Sequence, residues 1–341
     1  MQYRTLGRTG VKVSPLCLGA MMFGALGNTD HDDSVKIIHQ ALDAGINFID
    51  TADVYSAGES EQIVGRALAG GRRADIVLAT KAHFPMGDDP NQRGNSRRWL
   101  VTEVEYSLRR LGTDHIDLYQ IHRPDPETAL EETLSALTDL QRAGKIRYFG
   151  SSTFPAHQIV LAQWVAERRG LSRFVTEQPP YSILARSIEA DVLPVAQEFD
   201  LGVLGWSPLA GGWLTGTYRK GNEIPTSNRA QRVPLRYDLS RPDNQRKLDA
   251  VEELAQLAEQ SGISLIDMAL AFAINHPGIT SAIIGPRTGE HLAAQLSAAE
   301  VVLSRDVLDR IDEIVPPGTT IVAADAGYQP PALTDSALRR R

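Results

Sequence analysis

The chain has 341 residues, 42% of them apolar and 23% charged, with a formal net charge of −7. That is ample material for a large core, and the negative balance excludes a general polyanion binder such as a nucleic-acid protein. Cys17 is the only cysteine, which excludes an intrachain disulfide and a multi-cysteine metal site and fits a reducing compartment.

Residues 2–13 predict a hairpin of two short strands around Gly7 to Gly10, capping one end of the fold. Arg4, Arg8 and Lys12 break any leader-like apolar segment there. After it, short apolar runs alternate with longer amphipathic stretches. The first strand is Leu16–Gly19 and the first helix Asp32–Ala44. Then come strand Asn47–Asp50 with helix Glu59–Ala69, and strand Ile76–Thr80 with helix Ser96–Leu111. Ile116–Gln120 precedes Glu127–Ala143, and Ile146–Gly150 precedes Pro155–Arg169. Phe174–Thr176 is followed by Ile188–Phe199, Val203–Trp206 by Asn244–Gln260, and Ser281–Ile284 by Thr288–Leu296. Nearly unbroken hydrophobicity in strands such as Ile76-Val77-Leu78 predicts a parallel sheet covered on both faces. Eight such alternations close into a single (β/α)8 TIM barrel.

Residues 217–243 carry Pro225, Pro234, Pro242 and five arginines, which predicts a long polar loop that does not pack by itself. Residues 300–341 predict one more helix, Arg305–Ile314, and a proline-bearing tail. The longest apolar run, Met268 to Ile274, has seven residues, against about 18 for a membrane span. We therefore expect a soluble, cytoplasmic protein, and nothing in the sequence sets its oligomeric state. There is no G-x-G triplet, no P-loop, no H-E-x-x-H and no G-x-S-x-G. A phosphate-bearing ligand would need another cradle.

A barrel of this kind works at the C-terminal ends of its strands. The second strand ends in Asp50 with Tyr55 just beyond, the third in Lys81, and the fourth runs into His122. Lysine is scarce here, six against 29 arginines, so its place at a strand end is notable. An ammonium beside a phenol stabilises negative charge on the oxygen as the proton leaves, and Asp50 would offset the cost of burying Lys81. Tyr55 then fits a general acid towards a carbonyl oxygen, with His122 as a second donor. Each residue alone has an ordinary reading, as cap, packing or solvated end. Together, at consecutive strand ends, they point to one site.

At these residues the sequence resembles the aldo-keto reductases, in particular the bacterial branch related to potassium-channel beta subunits. The matching stretches are Phe48 to Tyr55, Leu111 to His122, Gly144 to Gly150, Gly205 to Leu209 and Ile283 to Thr288. The resemblance runs over about residues 3–313. It implies one barrel domain over residues 1–341, its core about 14–298, with a C-terminal helix and tail over 300–341. It also implies carbonyl reduction with NADPH, NADH being possible, without metal, by the tetrad Asp50, Tyr55, Lys81 and His122.

The same resemblance implies the cofactor residues. Ser152 and Gln178 would meet the carboxamide, Thr153 stands beside them where one carboxamide contact is lost with the family's asparagine, and Trp206 would stack on the nicotinamide. Ser207, Pro208, Leu209 and Gly211 would line the pyrophosphate path. Arg229 and Arg287 would meet phosphate, Arg287 the 2′-phosphate. Met21, Asp50, Gly285, His291 and Gln295 complete the set. Thr153 replaces the usual asparagine, Ala294-Gln295 the usual Glu-Asn, His291 a glutamine and Thr217 a lysine, so most departures fall towards the adenosine end.

For the substrate, a small carbonyl compound, Met22, Phe23, Phe84, Met86 and Trp213 are candidates for an apolar mouth or for core. Tyr55 and His122 would hold the carbonyl. Arg123 would bind an anionic substrate or pair with Asp125. Two other readings stay open: a Schiff-base aldolase using Lys81, and a non-catalytic nicotinamide-binding regulatory subunit.

Overall fold

The computed structural model describes residues 1–222 and 228–340, without the side chains of Asn228, Arg229 and Thr334. Arg4–Thr5 (β1) and Lys12–Val13 (β2) pair antiparallel, as expected of the hairpin. Leu6 and Val13 then plug the barrel near the N-terminal ends of its strands, against Cys17, Phe48, Ala79, Leu118 and Leu204.

Eight parallel strands close the barrel: β3 (Leu16–Gly19), β4 (Phe48–Asp50), β5 (Val77–Ala82), β6 (Ile116–Ile121), β7 (Ile146–Ser152), β8 (Thr176–Gln178), β9 (Gly202–Trp206) and β10 (Ser281–Ile284). β10 pairs with both β9 and β3, so the sheet has no edge. The helices α1 (His31–Asp43), α2 (Glu59–Leu68), α3 (Arg97–Leu111), α4 (Leu130–Arg142), α5 (Ala156–Arg169) and α6 (Val192–Glu198) follow β3 to β8 in turn. After β9 come α7 (Asn228–Arg232), α8 (Pro242–Gln260) and α9 (Leu265–Asn275), and after β10 come α10 (Gly289–Leu296), α11 (Arg305–Ile314) and the short α12 (Pro331–Thr334). The main core lies between strands and helices, where the inner faces of the helices supply Ile37, Ile63, Leu100, Leu137 and Ile159.

Local chemistry sets many of the ends. Asp30 caps α1 by accepting from the Asp33 amide at 2.9 Å, and Ser96 caps α3 by accepting from Trp99 at 3.3 Å. Gly58 has φ +92, and a Cβ there would come within 2.7 Å of the Arg110 side chain, so the turn from β4 into α2 needs glycine.

Three expectations change. β8 begins at Thr176, not Phe174, because Phe174 packs edge-on against Phe149 and Phe154 (ring centres at 5.9 and 5.7 Å). The ladder residues Thr176, Glu177 and Gln178 are polar, so hydrophobicity misplaces the strand. α9 was hidden in the apolar run: Met268 to Ile274 are all buried, and an element covered all round shows no amphipathic period. The polar loop is tied down over its described part. Tyr218 and Tyr237 stack on Trp213 at 4.5 and 5.9 Å, and Arg219 meets Glu252 at 2.9 Å and Glu259 at 2.7 Å. Among the described residues no single helix is long and apolar enough to cross a membrane.

Candidate active site

The four strand-end residues come together. Asp50 closes β4, and Lys81 lies in β5 directly opposite Gln120 of β6. The buried Lys81 Nζ donates to Asp50 Oδ2 at 2.6 Å, to the Thr51 carbonyl at 2.8 Å and to Tyr55 Oη at 3.3 Å. Those three contacts use the whole ammonium. Burial opposes the charge on Lys81, but Asp50 and the Tyr55 oxygen more than offset it and hold its pKa above the usual lysine value. A nucleophilic amine needs a free lone pair, so this arrangement speaks against the Schiff-base reading.

Two glutamines complete the Asp50 shell. Gln120 Nε2 donates to Asp50 Oδ1 at 3.0 Å, and Gln178 Nε2 donates to the same oxygen at 2.9 Å and to Gln120 Oε1 at 3.1 Å. Gln120 and the Thr51 carbonyl were missed from the sequence. The signal for Gln120 is its position two before His122, which puts both on one face of the strand path.

His122 stands edge-on to Tyr55, ring centres at 5.7 Å, and to Phe84 at 4.8 Å. Burial first, then the charges of Lys81 and Arg123, push its pKa well below the usual histidine value. A neutral imidazole keeps one donor and adds no positive charge of its own. Its buried Nδ1 has no protein partner among the described residues.

The wall behind Tyr55 is also ionic. Glu61 and Glu103 are fully buried; Glu61 accepts from Thr80 Oγ1 at 2.6 Å and from Arg110 Nε at 2.6 Å, and Arg110 also pairs with Glu103. This network ties α2, α3 and β5 behind the segment that carries Tyr55.

The residues implied for a cofactor fall on the neighbouring strand ends. Ser152 and Gln178 face each other across β7 and β8, with Ser152 Oγ donating to the Gln178 carbonyl at 2.9 Å. Thr153 follows with φ +58. Trp206 ends β9 half-buried, its amide donating to the Pro179 carbonyl at 2.9 Å. Ser207 has φ +60, and its Oγ accepts from the Gly211 amide at 3.0 Å. Left-handed non-glycine residues cost of order 1–3 kcal/mol each, and such strain gathers at working sites. Pro208 is buried, Leu209 half-exposed, and the Gly211 carbonyl takes the Tyr237 hydroxyl at 2.8 Å.

Met21 lies half-buried after β3. Gly285 and Arg287 form the turn from β10 to α10, with the Arg287 carbonyl held by Asn28 Nδ2 at 3.1 Å. His291 is exposed on α10, and Gln295 is buried with its Oε1 unpartnered among the described residues. The Arg229 side chain lies outside the described residues. The lining fits a nicotinamide cofactor: Ser152 Oγ and Gln178 Oε1 as acceptors for a carboxamide N–H, an aromatic face at Trp206, and at Gln295 a buried acceptor in want of a donor.

Phe23 requires a correction. It is 0% exposed and belongs to the main core, so it has no surface with which to line a mouth; Trp213, 1% exposed, lies in the same core. Phe84 and Arg123 do stand beside His122. Asp125 is not the partner of Arg123, since it accepts instead from Asn95, Glu127 and Thr128 at 2.7–3.0 Å.

The closed eight-stranded barrel thus gathers Asp50, Tyr55, Lys81 and His122 at the ends of adjacent strands. Residues 15–316 match the aldo/keto reductase family, and the chain belongs to it. It is 42% identical over 327 residues to an uncharacterized oxidoreductase, YrpG, of Bacillus subtilis (strain 168), covering 93% of this chain and 96% of that one. It is 37% identical to a probable voltage-gated potassium channel subunit beta of Oryza sativa subsp. japonica, over 92% of this chain and 97% of the relative. It is 32% identical to versiconal hemiacetal acetate reductase of Aspergillus parasiticus, over 92% and 96%. The protein is an NAD(P)H-dependent oxidoreductase of this family.

Proposed function

We propose that this enzyme reduces an aldehyde or ketone to the alcohol with NADPH, Tyr55 giving the proton to the carbonyl oxygen. The observation that carries the reading is the buried chain of contacts from Asp50 through Lys81 to Tyr55, with neutral His122 alongside. The bound cofactor would supply the hydride that adds to the carbonyl carbon. Asp50, itself held by Gln120 and Gln178, fixes the ammonium. The ammonium stabilises the phenolic oxygen as it releases its proton, and His122 orients the carbonyl oxygen towards it. Ser152, Gln178 and Trp206 would hold the nicotinamide, Ser207 to Gly211 the pyrophosphate, and Arg287 the 2′-phosphate. Cys17, the only cysteine and fully buried, supports a reducing, cytoplasmic setting.

The test is loss of NADPH absorbance with a panel of aldehydes and ketones, for wild type and Tyr55→Phe. Tyr55→Phe should lower kcat by roughly 10²–10⁴-fold while NADPH binding, followed by fluorescence, persists. Wild-type turnover in that variant would remove Tyr55 as the acid. The similarity to potassium channel beta subunits raises a second reading, a nicotinamide-binding regulatory subunit. NADPH binding without turnover of any carbonyl would favour that one.

A further inference from the structure

Arg123 directly follows His122 at the rim of the barrel, and it is half-buried. Several other half-buried or buried arginines of this chain meet carboxylates, whereas the half-buried Arg4 is held by the Ile279 backbone carbonyl at 3.2 Å. Arg73 meets Asp117 at 2.7 Å, Arg110 meets Glu61 at 2.6 Å, and Arg186 meets Glu189 and Asp312 at 2.9 and 2.7 Å. Arg123 meets none among the described residues. One of its five N–H donors is used, by Nη1 towards the His122 carbonyl at 2.5 Å. Its guanidinium lies over the Phe84 ring at 5.6 Å, and that ring stands against His122.

The carboxylates nearby are occupied. Asp125 is held by the Asn95 and Glu127 amides and the Thr128 hydroxyl. Glu177 accepts from Ser151 Oγ at 2.5 Å and from the Phe154 amide at 3.1 Å. Burial lowers the Arg123 pKa, Tyr55 and Glu177 support the charge electrostatically, and the charge of Arg236 opposes it. Arg236 has its own partner, Asp325, at 3.5 Å. The guanidinium is therefore partly stripped of water, within electrostatic reach of Tyr55, and short of acceptors. Leaving a charge in that state is costly, and a ligand that brings an anion recovers the cost. A planar fork suits a carboxylate, which it can take through two parallel N–H bonds.

We propose that Arg123 is a specificity-determining residue that receives the carboxylate of an oxo-acid substrate, an aldehyde or ketone whose acid group lies across the Phe84 ring from its carbonyl. This rests on the carbonyl-reductase reading above. Phe84 sets the spacing: its ring meets His122, beside the reacting oxygen, and Arg123, beside the acid.

The test compares 4-carboxybenzaldehyde with 4-nitrobenzaldehyde, two activated aromatic aldehydes of similar size, one anionic and one neutral. Wild type should favour the carboxylate in kcat/KM. In Arg123→Met that ratio should fall about ten- to hundred-fold, the scale of a charge-assisted contact. The fall should appear chiefly as a raised KM for the carboxylate, and Arg123→Lys should recover part of it. Because both aldehydes meet the same variant, general damage cancels in the ratio. An unchanged ratio in Arg123→Met overturns the proposal while leaving the reductase reading intact. If neither aldehyde is reduced by wild type, the reductase reading fails. Calorimetric titration with benzoate then decides the Arg123 site by itself: binding by wild type that Arg123→Met loses supports it, and no binding by wild type overturns it.

Discussion

Lys81 and Glu177 show how burial is put to opposite uses a few ångströms from one site. Lys81 keeps its charge because every N–H has an acceptor. Replacing it with methionine removes the ammonium from Tyr55 and leaves the buried Asp50 carboxylate with its two amide donors alone. We expect Lys81→Met to lower kcat by at least about 10²-fold and to reduce stability, read by steady-state kinetics and by urea unfolding. Wild-type kinetics would reject the pairing as part of the chemistry.

Glu177 is fully buried, and burial pushes its carboxyl up to about 7 against the hydrogen bonds from Ser151 and Phe154. Between the ordinary carboxyl range and pH 7 the native state therefore keeps a proton that the unfolded chain has lost. Stability on this account is full below that window and falls as pH rises through it. Glu177→Gln keeps an acceptor for Phe154 and removes the ionisation. It should stabilise the protein by roughly 3 kcal/mol at pH 8 and much less at pH 5. Equal effects at the two pH values, measured by denaturant unfolding, would show that Glu177 does not titrate in this range.

At the scale of elements, the turn from β10 into α10 deserves the next test. Thr288 caps α10 by accepting from the His291 amide at 3.2 Å, and Arg287 stands just before it, where helix N–H groups and a guanidinium favour the same anion. Arg287→Ala should weaken NADPH binding about ten- to hundred-fold and NADH binding far less. Equal losses in a fluorescence titration would show that Arg287 does not read the 2′-phosphate. This turn was legible in sequence because a strand, a glycine, an arginine and a capping threonine follow one another locally. β8 was not, because its ladder is polar where it serves the site. α9 was not either, because its burial erases the period that marks a helix.

Across the whole molecule, the C-terminal tail closes over the barrel rim that carries Thr153 and Trp206. Arg186 donates to Asp312 and to the Val315 carbonyl, both at 2.7 Å, and Thr320 bridges to Ala185. Further on, Asp325 pairs with Lys247 and Arg236, and Gly327 lies so near Thr153 and Trp206 that a Cβ would come within 2.7 and 3.0 Å of them. Lys247 is 1% exposed and lies over Trp213. Asp325→Ala would strand that ammonium and should cost of order 2–3 kcal/mol, less than a fully buried pair because Asp325 keeps some water. Adding Lys247→Met should recover most of the loss. A double variant as unstable as the single one would locate the tail's hold elsewhere.

The chain by itself determined the barrel and the tetrad. Eight strand–helix alternations dictate the architecture, and the end of a strand is a local feature, so Asp50, Tyr55, Lys81 and His122 could be placed at one rim by counting along the sequence. Whether a side chain at that rim is buried, paired or free depends on partners remote in the sequence, and only the tertiary structure decided it. Phe23 proved to be core, Arg123 proved to lack a counter-ion among the described residues, and the polar loop proved to be anchored through Arg236, which donates to the Ala324 carbonyl 88 positions away. A hydrophobic period reports what an element does on its own; burial and ion pairing are properties of two surfaces, and the second surface appears only when the chain has folded.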